Sequence, residues 1–235
     1  DYARWVGFLL SAWPARDGPE QGPVRRSSVR ELSQGLNFPQ VGRRPGGDKD
    51  TCPQAATYGM GMRVAVDCDA GFTVAHSGGY PGYGSFMLLL ADHGIGIFAF
   101  ANRTYSAPAV PVWSAAMELH KGGWLTGRAV PVSEALAGAY RAAGAMFEAG
   151  GIGPGRVQLA MNFLMDRSEE NWAREFVRLK GETGACRTES QIAATGALSG
   201  RFKWACDKGT LDGILLLAPT NPPTIQALRL TIPAP

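Results

Sequence analysis

The sequence has few of the residues that build metal centres. It holds three histidines and four cysteines among 235 residues, and no two cysteines form a Cys-x-x-Cys pair. Structural zinc sites need four such ligands at close spacing, and catalytic sites need three. We therefore predict no metal site, and we also predict that the protein needs no cofactor.

Long apolar runs and a strong excess of one charge are also absent. No run approaches the roughly 20 apolar residues of a membrane-spanning helix, so no membrane span is predicted. The formal net charge is only +3, and the arginines of residues 25–44 alternate with acidic and polar residues. This pattern is typical of a solvated loop rather than a nucleic-acid surface, so we predict no nucleic-acid partner.

The most informative stretch is residues 72–101, FTVAHSGGYPGYGSFMLLLADHGIGIFAFA. Its two apolar runs, 86–90 and 95–101, are separated by a turn, which is typical of buried antiparallel strands. The glycines before the first run indicate a close backbone approach or a positive φ. Backbone N–H groups beside His76 and Ser77 are suited to bind a carbonyl oxygen or an anion. An ordinary Gly/Pro bend between core strands is the other interpretation.

The cysteines favour two disulfides. Their even number and local spacing predict the pairs Cys52–Cys68 and Cys186–Cys206, and hence an oxidising compartment. Four cysteines allow three connectivities, and buried reduced thiols are the alternative.

Helical spacing marks both ends of the first half of the chain. Apolar residues recur with helical spacing over residues 1–12, with Asp1 as the N-cap and Pro14 as the stop. Residues 109–120 form a second amphipathic pattern, which predicts a helix packed on the sheet. Between them we predict a short helix over 28–34, because Ser28 and Glu31 have the spacing of a capping box.

The middle of this half combines a long loop with a strand. Residues 37–56 are rich in Pro, Gly and Arg and show no periodicity, so they are predicted to be a loop. The sequence YGMGM is predicted to open a strand that continues through Val66.

A second unit is predicted after a linker at residues 124–132. Helices are expected to begin at Ser133, Pro154 and Ser168, and alternating strands follow from residue 202 onward. Helices followed by an antiparallel meander make an α+β unit. We therefore place two domains at residues 1–124 and 125–235.

The segment HSGGYPGYGS, followed by an apolar hairpin and Asn102-Arg103, resembles the third motif of the serine β-lactamase-like hydrolases. This family includes class C β-lactamases, penicillin-binding proteins, D-aminopeptidases and esterases, and many members carry His-Ser/Thr-Gly-Gly-x-Pro-Gly in place of Lys-Thr-Gly. The resemblance is specific over 72–101 and looser over 1–124, where DYARWV and YGMG resemble a core helix and the strand before the third motif. It implies the C-terminal half of that α+β fold, an antiparallel sheet flanked by helices.

The resemblance also implies roles for the motif residues. His76 stands at the position of the motif's lysine and would position polar groups of the substrate. Gly79 would supply one backbone N–H of the oxyanion hole. The implied substrate-binding residues are Ser77, Gly78, Tyr80 and Tyr83. Core packing is the alternative role for the two tyrosines. Histidine in place of lysine favours an esterase, amidase or D-aminopeptidase.

The family's nucleophile motif is missing from the sequence. No serine is followed three residues later by lysine, and no tyrosine is followed two residues later by asparagine. In the family both motifs precede the region that matches Asp1, so we expect a chain that begins inside a longer protein. The missing N-terminal half would then supply the nucleophile for acyl transfer on a small-molecule or peptide substrate. The alternative is a non-catalytic peptidoglycan-binding or scaffold protein.

The second unit is similar in element order to the nuclear-transport-factor-like domains, some of which are appended to β-lactamase-like hydrolases. That similarity implies an accessory domain, with small-ligand binding or dimerisation as an alternative seat of function. Together with the predicted disulfides, the family resemblance implies a periplasmic or secreted bacterial protein.

Overall fold

The computed structural model of the chain describes residues 1–20 and 22–233. Helices and antiparallel sheets make up an α+β fold. The chain divides into two compact units, Asp1–Ala129 and Val130–Pro235. Within the described residues, no helix is both long enough and apolar enough to cross a membrane.

The first unit is built on a six-stranded antiparallel meander in which each strand pairs with the next along the chain. Its strands are β1 (Gln40–Gly42), β2 (Gln54–Tyr58), β3 (Arg63–Asp67), β4 (Gly71–Tyr80), β5 (Tyr83–Leu90) and β6 (Ile95–Ala101). Its helices are α1 (Tyr2–Leu10), α2 (Arg26–Glu31) and α3 (Ala109–Lys121). The predicted hairpin of residues 72–101 is therefore the β4–β5–β6 centre of this sheet.

Both faces of this sheet are covered, which explains the continuous apolar run of β5. Val74, Met87 and Leu89 pack with α1 on one face. Ala75, Phe86, Leu88 and Leu90 pack with α3 on the other face. Successive residues of a strand point to opposite faces, so every position of a strand buried on both sides must be apolar.

Two of the predicted elements in this unit were wrong. The strand expected to run from YGMGM through Val66 is broken, because the chain reverses at residues 59–62 and places β2 antiparallel to β3. The φ of Gly61 is +78°, a conformation that favours glycine. The loop predicted over 37–56 contains β1 and the start of β2, which pair with each other.

The segment between β1 and β2 is fastened to the strand that follows. The predicted Cys52–Cys68 disulfide is present, and Arg44 forms ion pairs with both Asp67 and Asp69. Gln54 Nε2 also donates a hydrogen bond of 3.0 Å to Asp67 Oδ2. Burial alone lowers the pKa of Arg44, but the hydrogen bonds and charges of the two aspartates outweigh it and raise the pKa above its usual value.

The second unit places its helices before its strands, as predicted. It contains α4 (Glu134–Ala149), a 3-10 helix at Gly153–Gln158, α5 (Phe163–Asp166) and α6 (Glu169–Thr183). The antiparallel sheet follows with β7 (Cys186–Arg187), β8 (Ala193–Gly196), β9 (Ser199–Cys206), β10 (Gly209–Ala218) and β11 (Thr224–Thr231). Cys186 and Cys206 are register partners on β7 and β9 and form the second predicted disulfide.

The helix predicted to begin at Pro154 was wrong in type and extent. Residues there form a 3-10 helix and then the short α5, with irregular chain between them. Val157 and Met161, which are four residues apart and would share one face of such a helix, are exposed. Their helical spacing therefore does not mark a buried face.

We expect Ser133→Ala to lower the free energy of unfolding of the second unit by about 1–2 kcal/mol. Ser133 is the buried N-cap of α4, and its Oγ accepts from Leu136 N at 3.1 Å and donates to Ala197 O at 2.8 Å. The matched control is Ser168→Ala at the N-cap of α6, where the hydroxyl is exposed and its bond to Asn171 N is longer, at 3.3 Å. Urea titrations followed by tryptophan fluorescence test the difference, and an equal loss in both variants would contradict this account.

Candidate active site

The histidine motif occupies the last residues of β4 and the turn into β5. Tyr80 and Tyr83 are register partners, so Pro81 and Gly82 alone make the turn. Gly82 has a φ of +90°, which a turn of this length requires and glycine adopts readily. The motif therefore ends in a tight hairpin rather than in a flexible loop.

The end of β4 is paired on one side only. The partner of Ala75 on β3 is Arg63, the first residue of that strand. Residues 77–80 extend beyond it, and among the described residues only β5 pairs with them. This leaves an open sheet edge, which we call the motif edge and define as residues 77–80.

Two backbone N–H groups face outward along the motif edge. A two-residue turn closes on a hydrogen-bonded pair, here Tyr80 and Tyr83, and such pairs alternate along antiparallel strands. Ser77 and Gly79 fall between these pairs, so their main-chain N–H and C=O groups point away from β5. Gly79 is exposed to solvent. The amide predicted for the oxyanion hole thus lies on an accessible edge.

The two central glycines are needed because side chains pack over them from both faces of the hairpin. A Cβ on Gly78 would overlap the hydroxyl of Ser85, its register partner on β5. A Cβ on Gly79 would lie 2.6 Å from Cδ1 of Tyr105, which packs over the opposite face. Glycine at these positions lets Ser85 and Tyr105 approach the backbone of the motif.

His76 has a defined partner, which the sequence did not indicate. Its Nε2 lies 2.9 Å from the hydroxyl of Tyr58, at the end of β2. The ring centroids are 6.2 Å apart with an interplanar angle of 55°, so the two rings do not stack. The hydrogen bond holds the imidazole at the start of the motif edge.

A cavity of about 390 Å³ lies beside this histidine. Its floor is apolar and consists of Ala65, Ala75, Phe86, Ala107, Ala109 and Trp113. The polar side chains that line it include those of Tyr58, Arg63, His76 and Ser77. No aspartate or glutamate is among its lining residues, so the formal charge it presents is positive.

The predicted site residues fall into two groups. His76 and Ser77 line the cavity, and Gly78 and Gly79 continue along the motif edge. Tyr80 and Tyr83 stand at the hairpin tip, where both side chains are largely exposed, and neither lines the cavity.

Sequence reasoning missed Tyr58 and Arg63 as site residues. Tyr58 was part of the YGMG segment, but it was assigned to a continuous strand. The reversal at 59–62 instead brings Tyr58 and Arg63 opposite each other and next to β4. Gly61 within the apolar segment was the available signal for that turn.

Residues 1–121 match the protein-family model described as Beta-lactamase. No curated protein and no solved structure gives a significant match to the chain. The matched residues run from the N-terminal helix through α3, so they include the whole six-stranded sheet, the motif edge and the cavity.

Proposed function

Because the chain belongs to the beta-lactamase family, we propose that it is part of a serine hydrolase that cleaves an ester, an amide or a D-amino-acid peptide. In this reaction a serine hydroxyl loses its proton to a base and adds to the substrate carbonyl. The alcohol or amine then leaves with a proton, and water releases the acid from the acyl-enzyme. No Ser-x-x-Lys motif occurs in the 235 residues, so we place the nucleophile outside them.

The motif edge is the observation that carries this proposal. The tetrahedral intermediate of acyl transfer needs preorganised N–H donors aimed at its oxyanion. Gly79 offers one such donor on an accessible edge that, within the part of the chain that the structure describes, pairs only with β5. We assign Gly79 to the oxyanion hole and the neighbouring hydroxyl of Ser77 to the substrate.

His76 is assigned the task of orienting the substrate's polar groups at the entrance of the cavity. Its hydrogen bond to Tyr58 fixes the ring, and its second ring nitrogen remains available for a substrate or for the nucleophile's base. Tyr80 and Tyr83 lie at the exposed hairpin tip, directly after the motif glycines. We retain them as proposed substrate-binding residues for a substrate large enough to extend from the motif edge to that tip.

Active-site labelling tests the proposal. The full-length protein that contains this chain is incubated with a fluorophosphonate and, in parallel, with a fluorescent penicillin, and the modified residue is found by mass spectrometry. We expect one modified serine, outside residues 1–235. Absence of labelling by both reagents would instead favour the alternative, a non-catalytic peptidoglycan-binding or scaffold protein.

We expect His76→Ala to lower the rate of acyl transfer by the full-length protein about 10²-fold, the size of effect typical of a well-placed polar catalytic group. His76 is exposed, so its removal should leave the unfolding midpoint almost unchanged. The matched control is His93→Ala, because His93 lies in the turn between β5 and β6 and does not line the cavity. Stopped-flow acylation with a chromogenic ester measures the rates, and an unaltered rate in His76→Ala would contradict the assignment.

The disulfides bear on where the protein works. Two disulfides are present, and such bonds persist in oxidising compartments. We propose a periplasmic or secreted location.

For the second unit we retain the proposal of an accessory nuclear-transport-factor-like domain. Deleting it from the full-length protein, followed by a turnover assay, tests whether the acyl-transfer site needs it.

A further inference from the structure

We propose that the second unit binds a small organic cation, an ammonium group joined to an apolar body, in a cavity between α4 and the segment that joins β7 to β8. All residues that line this cavity belong to the second unit, and none belongs to the histidine motif. Such binding is a function in addition to acyl transfer, and it does not depend on the hydrolase assignment.

The cavity has the size of a small-molecule site. Its volume is about 680 Å³, and ligand pockets in proteins typically measure roughly 300–1,000 Å³. One wall is formed by α4 and the other by residues 188–192. α4 buries a different side, which includes Leu136, Ala143 and Phe147, in the hydrophobic core of the unit. The cavity therefore lies at the margin of the core and opens to solvent.

Hydrogen bonds hold the two walls together. Thr188 Oγ1 donates to Glu148 Oε1 on α4, and the hydroxyls of Tyr140 and Ser190 are joined at 2.9 Å. A Cβ on Gly144 would lie only 3.1 Å from Cβ of Thr188, so glycine lets the segment approach the helix. The cavity is therefore formed before any ligand arrives, as small-molecule sites usually are.

The three hydroxyl groups among the lining residues have already donated their protons. Trp204 Nε1 donates to the Tyr140 hydroxyl at 2.8 Å, and Ser190 Oγ donates to the carbonyl oxygen of Lys203 at 3.0 Å. Since Ser190 has only one hydroxyl proton, the Tyr140 hydroxyl must be the donor in the bond that joins the two. The third hydroxyl, on Thr188, donates to a carboxylate. All three can therefore offer a ligand lone pairs but no proton.

The charges of the lining also favour a ligand that donates hydrogen bonds. Two carboxylates, Glu148 and Glu189, line the cavity together with one guanidinium, Arg141, so the formal charge of the lining is −1. Within the part of the chain that the structure describes, Glu189 forms no ion pair. A carboxylate that is not neutralised attracts a cation, and an ammonium group brings up to three N–H donors for these acceptors.

The apolar part of the lining selects an organic cation over a bare metal ion. Val132, Ala137, Ala145 and Ile192 line the cavity between the polar groups. The two alanines and Gly144 have small side chains or none, which leaves room for a group of the size of one ring. Hard metal ions need a shell of several oxygen ligands, and these four side chains provide none. An ammonium on an apolar body satisfies both parts of the lining.

Benzylammonium and benzyl alcohol test the proposal on the full-length protein that contains this chain. The two probes have nearly the same shape, and only the first carries a charge at neutral pH. Their dissociation constants are measured by ligand-detected NMR titration. We expect benzylammonium to bind about tenfold more tightly, since a charge-assisted hydrogen bond contributes at least this factor. Equal affinity for the two probes would overturn the proposal.

Two variants locate the binding and identify the charge that the cation meets. Ala145→Phe fills the cavity and should weaken both probes about tenfold or more, and the half-buried position accommodates part of the ring in solvent. Glu189→Gln should lower the preference for benzylammonium about threefold, as expected for one solvated ion pair. Glu189 is exposed, so this variant should unfold at the wild-type midpoint.

The matched control is Glu170→Gln, which removes an exposed carboxylate of α6 outside the cavity and should bind both probes like the wild type. Undiminished binding in Ala145→Phe would show that the probes bind elsewhere and would overturn the proposal. A preference that is unchanged in Glu189→Gln, or lowered equally in Glu170→Gln, would do the same.

Discussion

Replacing Asp67 by alanine is expected to lower the free energy of unfolding of the first unit by about 3–5 kcal/mol, the cost of breaking a buried ion pair on one side. The Asp67 carboxylate is fully buried and accepts four hydrogen bonds within the β2–β3 region. Their donors are Arg44 Nη1 at 2.7 Å, and Gln54 Nε2, Asp69 N and Ala70 N at 3.0 Å. Without the carboxylate, several buried donors lose their acceptor at once.

The neighbouring carboxylate provides the control. Asp69 also pairs with Arg44, but its side chain is 34% exposed, so water can replace it. We expect Asp69→Ala to cost about 1 kcal/mol or less, as for other solvated ion pairs. Urea unfolding of both variants makes the comparison, and similar midpoints would show that the Asp67 network contributes little.

Asp67→Ala should also affect the candidate active site. Pro45, next to Arg44, and Gln54, a partner of Asp67, both line the cavity beside His76. Loss of the Asp67 carboxylate releases the ion pair that holds this wall, although the Cys52–Cys68 disulfide still ties the segment to the end of β3. We therefore expect slower acyl transfer by the full-length protein in Asp67→Ala, even without urea, where the chain stays folded.

The parts of the fold that the sequence predicted are those specified by contiguous residues. The apolar runs of β5 and β6 and the turn between them are local patterns, and so are the capped helices α4 and α6. The chain reversal at 59–62 was missed because β2 and β3 are only five residues long and four residues apart. The sequence pattern therefore predicted a single strand. β1 was missed because its three residues are all exposed and show no alternation of apolar and polar residues.

The site was predicted only as far as the motif extends. His76, Ser77 and Gly79 were proposed as site residues from the resemblance of ten contiguous residues, and their assignment stays a prediction. Tyr58 and Arg63 join them through the register of β2, β3 and β4, which depends on pairing between separated segments. A one-residue shift of that register would move Arg63 to the opposite face of the sheet. Neither composition nor periodicity determines it.

Gly84→Ala is expected to destabilise the first unit by about 3 kcal/mol, as for an overpacked core, and to abolish acyl transfer by the full-length protein. Gly84 is the register partner of Gly79. A Cβ at this position would overlap the main-chain carbonyl of Ser106 and lie 2.9 Å from its nitrogen. A backbone group cannot rotate away as a flexible side chain does, so the segment around Ser106 must move as a whole.

That segment already holds a strained residue over the motif. Tyr105 has a φ of +52°, a left-handed conformation that costs a non-glycine residue about 1 kcal/mol, and it packs against Gly79. The hydrogen bond from Gly82 N to Thr104 Oγ1, 2.9 Å long, ties the segment to the hairpin turn. Displacement of the segment by the added methyl group would break this hydrogen bond and remove Tyr105 from the face of Gly79, the residue that we propose for the oxyanion hole.

The control for this substitution is Gly7→Ala in α1, where a Cβ meets no atom within 4 Å. Alanine there should stabilise the helix by about 0.5–1 kcal/mol, because glycine has the higher conformational entropy in the unfolded chain. The urea unfolding midpoints of both variants and the NMR chemical shifts of Tyr105 are compared with those of the wild type. If Gly84→Ala unfolds at the wild-type midpoint with Tyr105 unshifted, the added methyl group is accommodated without displacing the Ser106 segment. In that case the close packing of the motif edge does not preorganise the Gly79 amide.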